Sequence, residues 1–192
     1  FGRALKALLR QDPDVVMVGE IRDAETAEIA VQASLTGHLV LSTVHTNSAA
    51  AAITRLVDMG VEPFLLASSV KAVLAQRLVR QLCATCKQPY QASKDTAAKL
   101  GLKSQQLELY QPTGCSECQN TGYRGRIGIY ELIMVNDDIR RMIQDGAGEL
   151  DIEARAIADG LPVLADSGRD LVLSGDTTLE EILRVSRLKE PE

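Results

Sequence analysis

Two short apolar runs, each ending in polar residues, constrain the fold most. "VVMV" (Val15–Val18) runs into Gly19, Glu20, Arg22 and Asp23, and "HLVLSTV" runs into His45, Thr46 and Asn47. Neither run alternates apolar with polar, the pattern of a strand covered on both faces. Between them, "AETAEIAVQASLTG" places Ala27, Ala30, Val31 and Leu35 on one helical face, with Gly37 as a stop. The opening "FGRALKALLR" carries a similar stripe of Ala4, Leu5, Leu8 and Leu9, closed by Pro13. Helix, strand, helix, strand with short joints predicts a parallel sheet with crossover helices, hence an α/β fold.

Downstream, Ser48 is an expected N-cap for "AAAAITRLVDM", and Gly60 suits the residue just past its end. Pro63 fits the first turn of "PFLLASSVKAVLAQRLVRQL", expected as one apolar helix running to the first cysteine. Residues 83–126 then change character, with cysteines, glycines and polar residues and little periodicity. "RIGIYELI" is expected to return as a strand, and three or four helices to follow Asn136. The last, "TTLEEILRVSRL", offers a capping box from Thr177 or Thr178 with Glu180 or Glu181. The expected division is 1–82, 83–126 and 127–192. Because the chain opens at Phe1, inside a helical pattern, it reads as part of a longer polypeptide.

Ligand sites in open α/β sheets lie outside the carboxyl ends of the parallel strands. Both strands here end in chemistry-bearing residues, which converge on one edge if the strands are neighbours. A carboxylate such as Glu20 can hold Mg²⁺ there, since Mg²⁺ takes one or two carboxylates beside nucleotide phosphates. A histidine at the neighbouring strand end, His45, can donate a hydrogen bond to a terminal phosphate. The plainer alternatives are strands meeting solvent and a structural histidine.

Cys83, Cys86, Cys115 and Cys118 are all the cysteines present, and they form "CATC" and "CSEC". Each pair can grip one edge of a tetrahedron from a tight turn, as structural Zn²⁺ requires. The polar stretch between the pairs is expected to have little core of its own, so a metal would supply what packing does not. Disulfides, disfavoured by a cytoplasmic setting, and a redox dithiol, which would need only one CxxC, remain alternatives. A zinc ribbon reading nucleic acid is another alternative. Only 3% of residues are aromatic and the net charge is −5, which argues against a dedicated nucleic-acid binder. No apolar run reaches a membrane span, so the default is a soluble, cytoplasmic protein.

The stretch "LLRQDPDVVMVGEIRDAETAEIAVQASLTGHLVLSTVHTN" resembles the Walker B and histidine-box region of the ATPases of type II secretion and type IV pilus assembly. The likeness continues through "RLVDMGVEPFLL", "AQRLVRQLC", "GCSEC", "TGYRGRIGIYE" and "GDTTLEEILRV", covering essentially the whole chain. Paired CxxC motifs favour the secretion and pilus-assembly branch over the retraction branch, and the pattern leans towards type II secretion. The resemblance implies a RecA-like ATPase core, present here in part, with a tetracysteine zinc insert and a helical C-terminal subdomain. It implies a homohexameric ring using ATP, Mg²⁺ and Zn²⁺, bound peripherally to inner-membrane platform proteins. Glu20 matches the Walker B acid and His45 the residue that senses the terminal phosphate. Arg22 and Asp23 follow the pattern but could equally form a structural salt bridge. Arg77 would lie near the nucleotide, whereas His38 is expected to pack.

No G-x-x-x-x-G-K-[ST] loop occurs in the chain, and the family's acidic box and N-terminal domain are also missing. The 192 residues alone are therefore expected to lack ATPase activity. The runner-up is a non-enzymatic assembly or regulatory module built on the zinc element and helical tail.

Overall fold

The computed structural model describes residues 7–11, 13–102 and 107–185. The first six residues, with Ala4 and Leu5 of the opening stripe, lie outside the described residues; residues 7–9 are helical. Strand β1 (Val15–Val18) pairs in parallel with β2 (Leu39–Ser42), Val15 opposite Leu39 and Val18 opposite Ser42. Helix α1 (Ala24–Leu35) makes the crossover between them. The predicted βαβ unit is therefore present.

Its burial departs from expectation. Val16 and Val18 are buried, whereas Val15, Met17, Leu39 and Leu41 are at least half exposed. A strand's side chains alternate between faces, and in this chain only one face of the pair joins the core.

Helix α2 (Ala49–Asp58) starts where Ser48 Oγ accepts from the Ala51 N–H at 3.0 Å. Gly60 follows it at φ +102°, a left-handed conformation that costs glycine nothing. Helix α3 (Pro63–Ser69) has its proline in the first turn, as predicted, but ends after two turns. Residues expected to prolong it form strand β3 (Ala72–Leu82), which makes a two-stranded sheet with β6 (Tyr123–Met134). The run "AVLAQRLVRQL" has helix-forming composition, so the strand follows from its partner rather than from local preference.

Between β3 and β6 lie β4 (Gln88–Gln91), α4 (Lys94–Lys99) and β5 (Glu108–Gln111), with β4 and β5 antiparallel. Among the described residues four helices follow β6: α5 (Asp137–Gln144), α6 (Glu149–Ala158), α7 (Leu164–Leu173) and α8 (Leu179–Val185).

The chain divides into two units, Phe1–Ala75 with Leu132–Leu161 and Gln76–Glu131 with Pro162–Glu192. In the first, Val16, Val18 and Ile21 share a core with Ile53, Leu66, Ile139 and Ile152. Ser48 Oγ also donates to Glu149 Oε1 at 2.8 Å, tying α2 to α6. In the second, Val79 and Ile129 pack with Leu100, Leu109, Leu164, Val172 and Ile182. Leu100 and Leu109, at 3% and 1% exposure, belong to the excursion between the cysteine pairs. That segment is therefore anchored by apolar packing, contrary to the expectation drawn from its polar composition.

The second unit also holds a buried acid. Glu181 Oε1 accepts from Arg80 Nη2 at 2.7 Å and Nε at 3.0 Å, and Oε2 accepts from Arg80 N at 2.8 Å and Arg184 Nη2 at 2.9 Å. Burial alone would raise this carboxyl, but the bonds from Arg80 and Arg184 outweigh it and hold the pKa at about 2. The expected capping box is half realised. Thr178 Oγ1 accepts from Glu181 N at 3.4 Å, while the Glu181 carboxylate is committed to the arginines.

Candidate functional site

The first site is the edge where β1 and β2 end. Parallel pairing carries both chains out on the same side, and two bonds hold them together there. Ile21 N donates to Thr43 O at 2.9 Å, and Thr43 Oγ1 donates to Gly19 O at 2.7 Å. Glu20 and His45 are thereby set side by side. His45 Nε2 lies 2.6 Å from Glu20 Oε1, and Arg22 Nε lies 2.6 Å from Oε2.

The two carboxylate oxygens differ in their surroundings. Oε2 is ion-paired to Arg22. Oε1 is buried and, among the described residues, accepts no hydrogen bond, although His45 Nε2 lies 2.6 Å away. A buried carboxylate oxygen with no donor is costly, and it fits an oxygen kept for a cation or its water. A cleft of about 240 Å³ opens there, lined by Glu20, Ile21, Arg22, Val44, His45, Arg55 and Met59. Arg55 and Met59 escaped sequence reasoning. Arg55 falls in the last turn of a helix read only as an apolar stripe, and nothing local marks it as facing the strand ends. One acid, one imidazole and two guanidinium groups thus share the cleft.

Of the other candidates, Asp23 is the N-cap of α1. Its Oδ1 accepts from Thr26 N at 2.8 Å, and this backbone bond holds its carboxyl below the usual range. Arg22 turns to Glu20 rather than to Asp23. His38 lies past the far end of α1, with Nδ1 3.0 Å from Ala33 O. Arg77 belongs to the second unit, on β3, where Nη1 donates to Gln76 O at 3.1 Å.

The second site is the cysteine cluster, whose four sulfurs all lie within 4.8 Å of one another. Cys83–Cys115, Cys86–Cys118 and Cys115–Cys118 are separated by 3.9, 3.8 and 3.7 Å. A tetrahedron with Zn–S bonds of about 2.3 Å has edges of about 3.8 Å, so the donor set fits Zn²⁺. All four are free thiols. Cys118 Sγ accepts from Cys115 N and Gly122 N, each at 3.2 Å. Burial pushes this thiol up, but those N–H groups and the neighbouring thiols prevail and bring it down to about 6. Cys115 has the opposite balance. Its bond from the Cys118 backbone lowers it, yet burial and the Cys118 sulfur push it up to about 11. Gly122 is required here: its φ is +74°, and a Cβ would stand 2.3 Å from Pro112 Cβ.

An α/β chain with an acid and a histidine at adjacent parallel strand ends, and a Cys₄ cluster in a second unit, defines a class that comparison with known proteins makes specific. Residues 1–184 match the family described as "Type II/IV secretion system protein". The chain belongs to that family. It is 60% identical over 188 residues to the type II secretion system protein E of Pseudomonas aeruginosa, covering 97% of this chain and 37% of that protein. It is 56% identical to the type II secretion system ATPase E of Vibrio cholerae, with the same coverage. The type IV pilus assembly ATPase PilB of Thermus thermophilus is 50% identical, covering 95% of this chain and 21% of PilB. Among solved structures, the pilus retraction motor PilT with bound ADP aligns at a TM-score of 0.67 and 27% identity, over 97% of this chain and 43% of PilT. The Legionella pneumophila ATPase DotB aligns at 0.66 and 18% identity, over 96% of this chain and 41% of DotB, a likeness of fold alone. The chain thus spans little more than a third of the type II secretion relatives it matches. Among the described residues no helix is long and apolar enough to cross a membrane.

Proposed function

We propose that this chain supplies one wall of the nucleotide-hydrolysing centre of a secretion motor with a RecA-like core. The motor works as a homohexamer and powers protein secretion or pilus assembly from the cytoplasmic side of the inner membrane, against platform proteins. The observation that carries this reading is Glu20 Oε1, buried at the strand ends beside His45 and accepting no hydrogen bond among the described residues. Glu20 would hold Mg²⁺ directly or through water; bound there, the ion neutralises charge on the phosphates. Arg22 fixes the other carboxylate oxygen and so orients the group. His45 donates from its ring to the terminal phosphate, and Arg55 adds a positive wall. Cys83, Cys86, Cys115 and Cys118 hold a structural Zn²⁺ within segment 83–126, beside a nucleotide-facing segment 1–82 and a tail 127–192.

The 192 residues contain no phosphate-cradling G-x-x-x-x-G-K-[ST] loop, and the proposed centre draws that element from outside them. Titration of Mg-ATP into the 192-residue chain is expected to give no micromolar binding, and micromolar binding would overturn that part of the reading. In the longer polypeptide, Glu20→Gln should leave folding intact and lower turnover about 10²-fold or more. Unchanged turnover would remove Glu20 from the chemistry.

A further inference from the structure

The cysteine cluster carries a second feature, made by residues that ligate nothing. Thr85 lies inside "CATC" and Glu117 inside "CSEC". Thr85 Oγ1 donates to Glu117 Oε2 at 2.9 Å, and Arg124 Nη1, at the start of β6, reaches the same oxygen at 3.3 Å. One carboxylate oxygen therefore joins both knuckles and the strand that leaves them. Two further bonds run nearby, Cys83 N to Gly122 O at 3.0 Å and Thr113 Oγ1 to Cys86 O. Of these side-chain links, only Thr85–Glu117 runs directly between the interior positions of the two CxxC motifs.

We propose that Thr85 and Glu117 form a latch that positions the four sulfurs, so that metal is bound at lower cost and released more slowly. The proposal rests on the metal reading given above. Three pairs among the four sulfurs lie 3.7–3.9 Å apart, and without a metal the chain freedom lost in holding that spacing favours separation of the two knuckles. A cross-knuckle bond opposes that separation before metal arrives and while it leaves. Partners of this kind, outside the ligand set, change metal affinity about 10- to 100-fold. Thr85, Glu117 and Arg124 are all exposed, so solvent competition places the effect at the lower end, about tenfold.

The test uses the full 192-residue chain, reduced and loaded with Co²⁺ or Zn²⁺, then challenged with excess chelator while release is followed. Thr85→Val and Glu117→Ala should each release metal about tenfold faster, and the double variant no faster than either. The Co²⁺ spectrum should stay that of a tetrahedral four-sulfur site in all of them, and circular dichroism should stay native. Thr85→Ser and Glu117→Gln, which keep a donor and an acceptor, should restore slow release. Release at the wild-type rate from Thr85→Val and Glu117→Ala overturns the latch. So do additive effects, or a Glu117→Gln protein that releases as fast as Glu117→Ala. A wild-type chain that takes up no metal overturns the metal reading and the latch together, which separates the two failures.

Discussion

Glu20 and Glu181 are both largely enclosed carboxylates that meet arginine, and they are built for opposite ends. Both oxygens of Glu181 are saturated, by the Arg80 guanidinium and backbone and by Arg184, and its side chain is 2% exposed. Glu20 keeps one oxygen ion-paired to Arg22 and has His45 2.6 Å from the other, which accepts no hydrogen bond among the described residues. Arg80 is itself held, stacked 4.1 Å from the Tyr123 ring centroid, with Thr177 Oγ1 donating to Arg80 O at 2.8 Å. Arg22 and His45, which meet Glu20, are largely exposed. An acid whose every lone pair is used stabilises the fold. An acid left incomplete at the end of a strand carries a cost that a bound cation can relieve.

Substitution and pH can break this contrast, with the metal cluster setting the upper end of the scale. Stripping metal from the cysteines should be the largest perturbation, bounded by the roughly 10 kcal/mol of isolated zinc peptides. Because Leu100 and Leu109 anchor the excursion independently, hydrogen exchange should rise mainly around residues 83–87 and 113–122. Uniform loss of protection across the second unit would show that this packing does not suffice.

Glu181→Ala comes next. It strips Arg80 N of its acceptor and separates the ion pair, and should lower stability by about 3 kcal/mol in denaturant titration. Loss below about 0.5 kcal/mol would mean solvent replaces the carboxylate. The same group should respond to acid. Its folded pKa of about 2 lies below the ordinary carboxylate range. Its contribution is therefore complete above about pH 5 and fades as pH falls towards 2. Wild type should lose Tm faster than Glu181→Gln across that window, and the two curves should converge near pH 2. Parallel curves would contradict the assignment.

Glu20→Gln should be the smallest effect, within about 0.5 kcal/mol of wild type or slightly stabilising, since it removes a buried charge whose pairing is incomplete. A loss as large as that of Glu181→Ala would place Glu20 among the structural acids and erase the contrast.

Much of the local architecture was legible because it depends on neighbours in the chain. Ser48, Gly60 and Pro63 punctuate helices through bonds and dihedrals within a few residues, and they sit where expected. Cys83, Cys86, Cys115 and Cys118 announced a cluster because two-residue spacing leaves few other uses for four thiols. Segment 72–82 was misread because its apolar residues suit either a helix or a strand, and only β6 selects the strand. The excursion was misread for a related reason: Leu100 and Leu109 are sparse locally and become a core only beside Val79, Ile129 and Ile182. Arg55 carries no local mark at all, and its place in the cleft depends on how α2 is set against the strand ends.

By itself the amino-acid sequence determined the first strand–helix–strand unit, the polar strand ends and the identity of the four clustered thiols. These follow from short-range rules of capping, periodicity and spacing. Tertiary structure decided which lone pairs are used. Glu181 is saturated because Arg80 approaches from a strand 101 residues away, whereas Glu20 Oε1 accepts no hydrogen bond among the described residues although His45 is near it. Hydrogen bonding depends on distance and direction together, and direction is set only when separate elements pack.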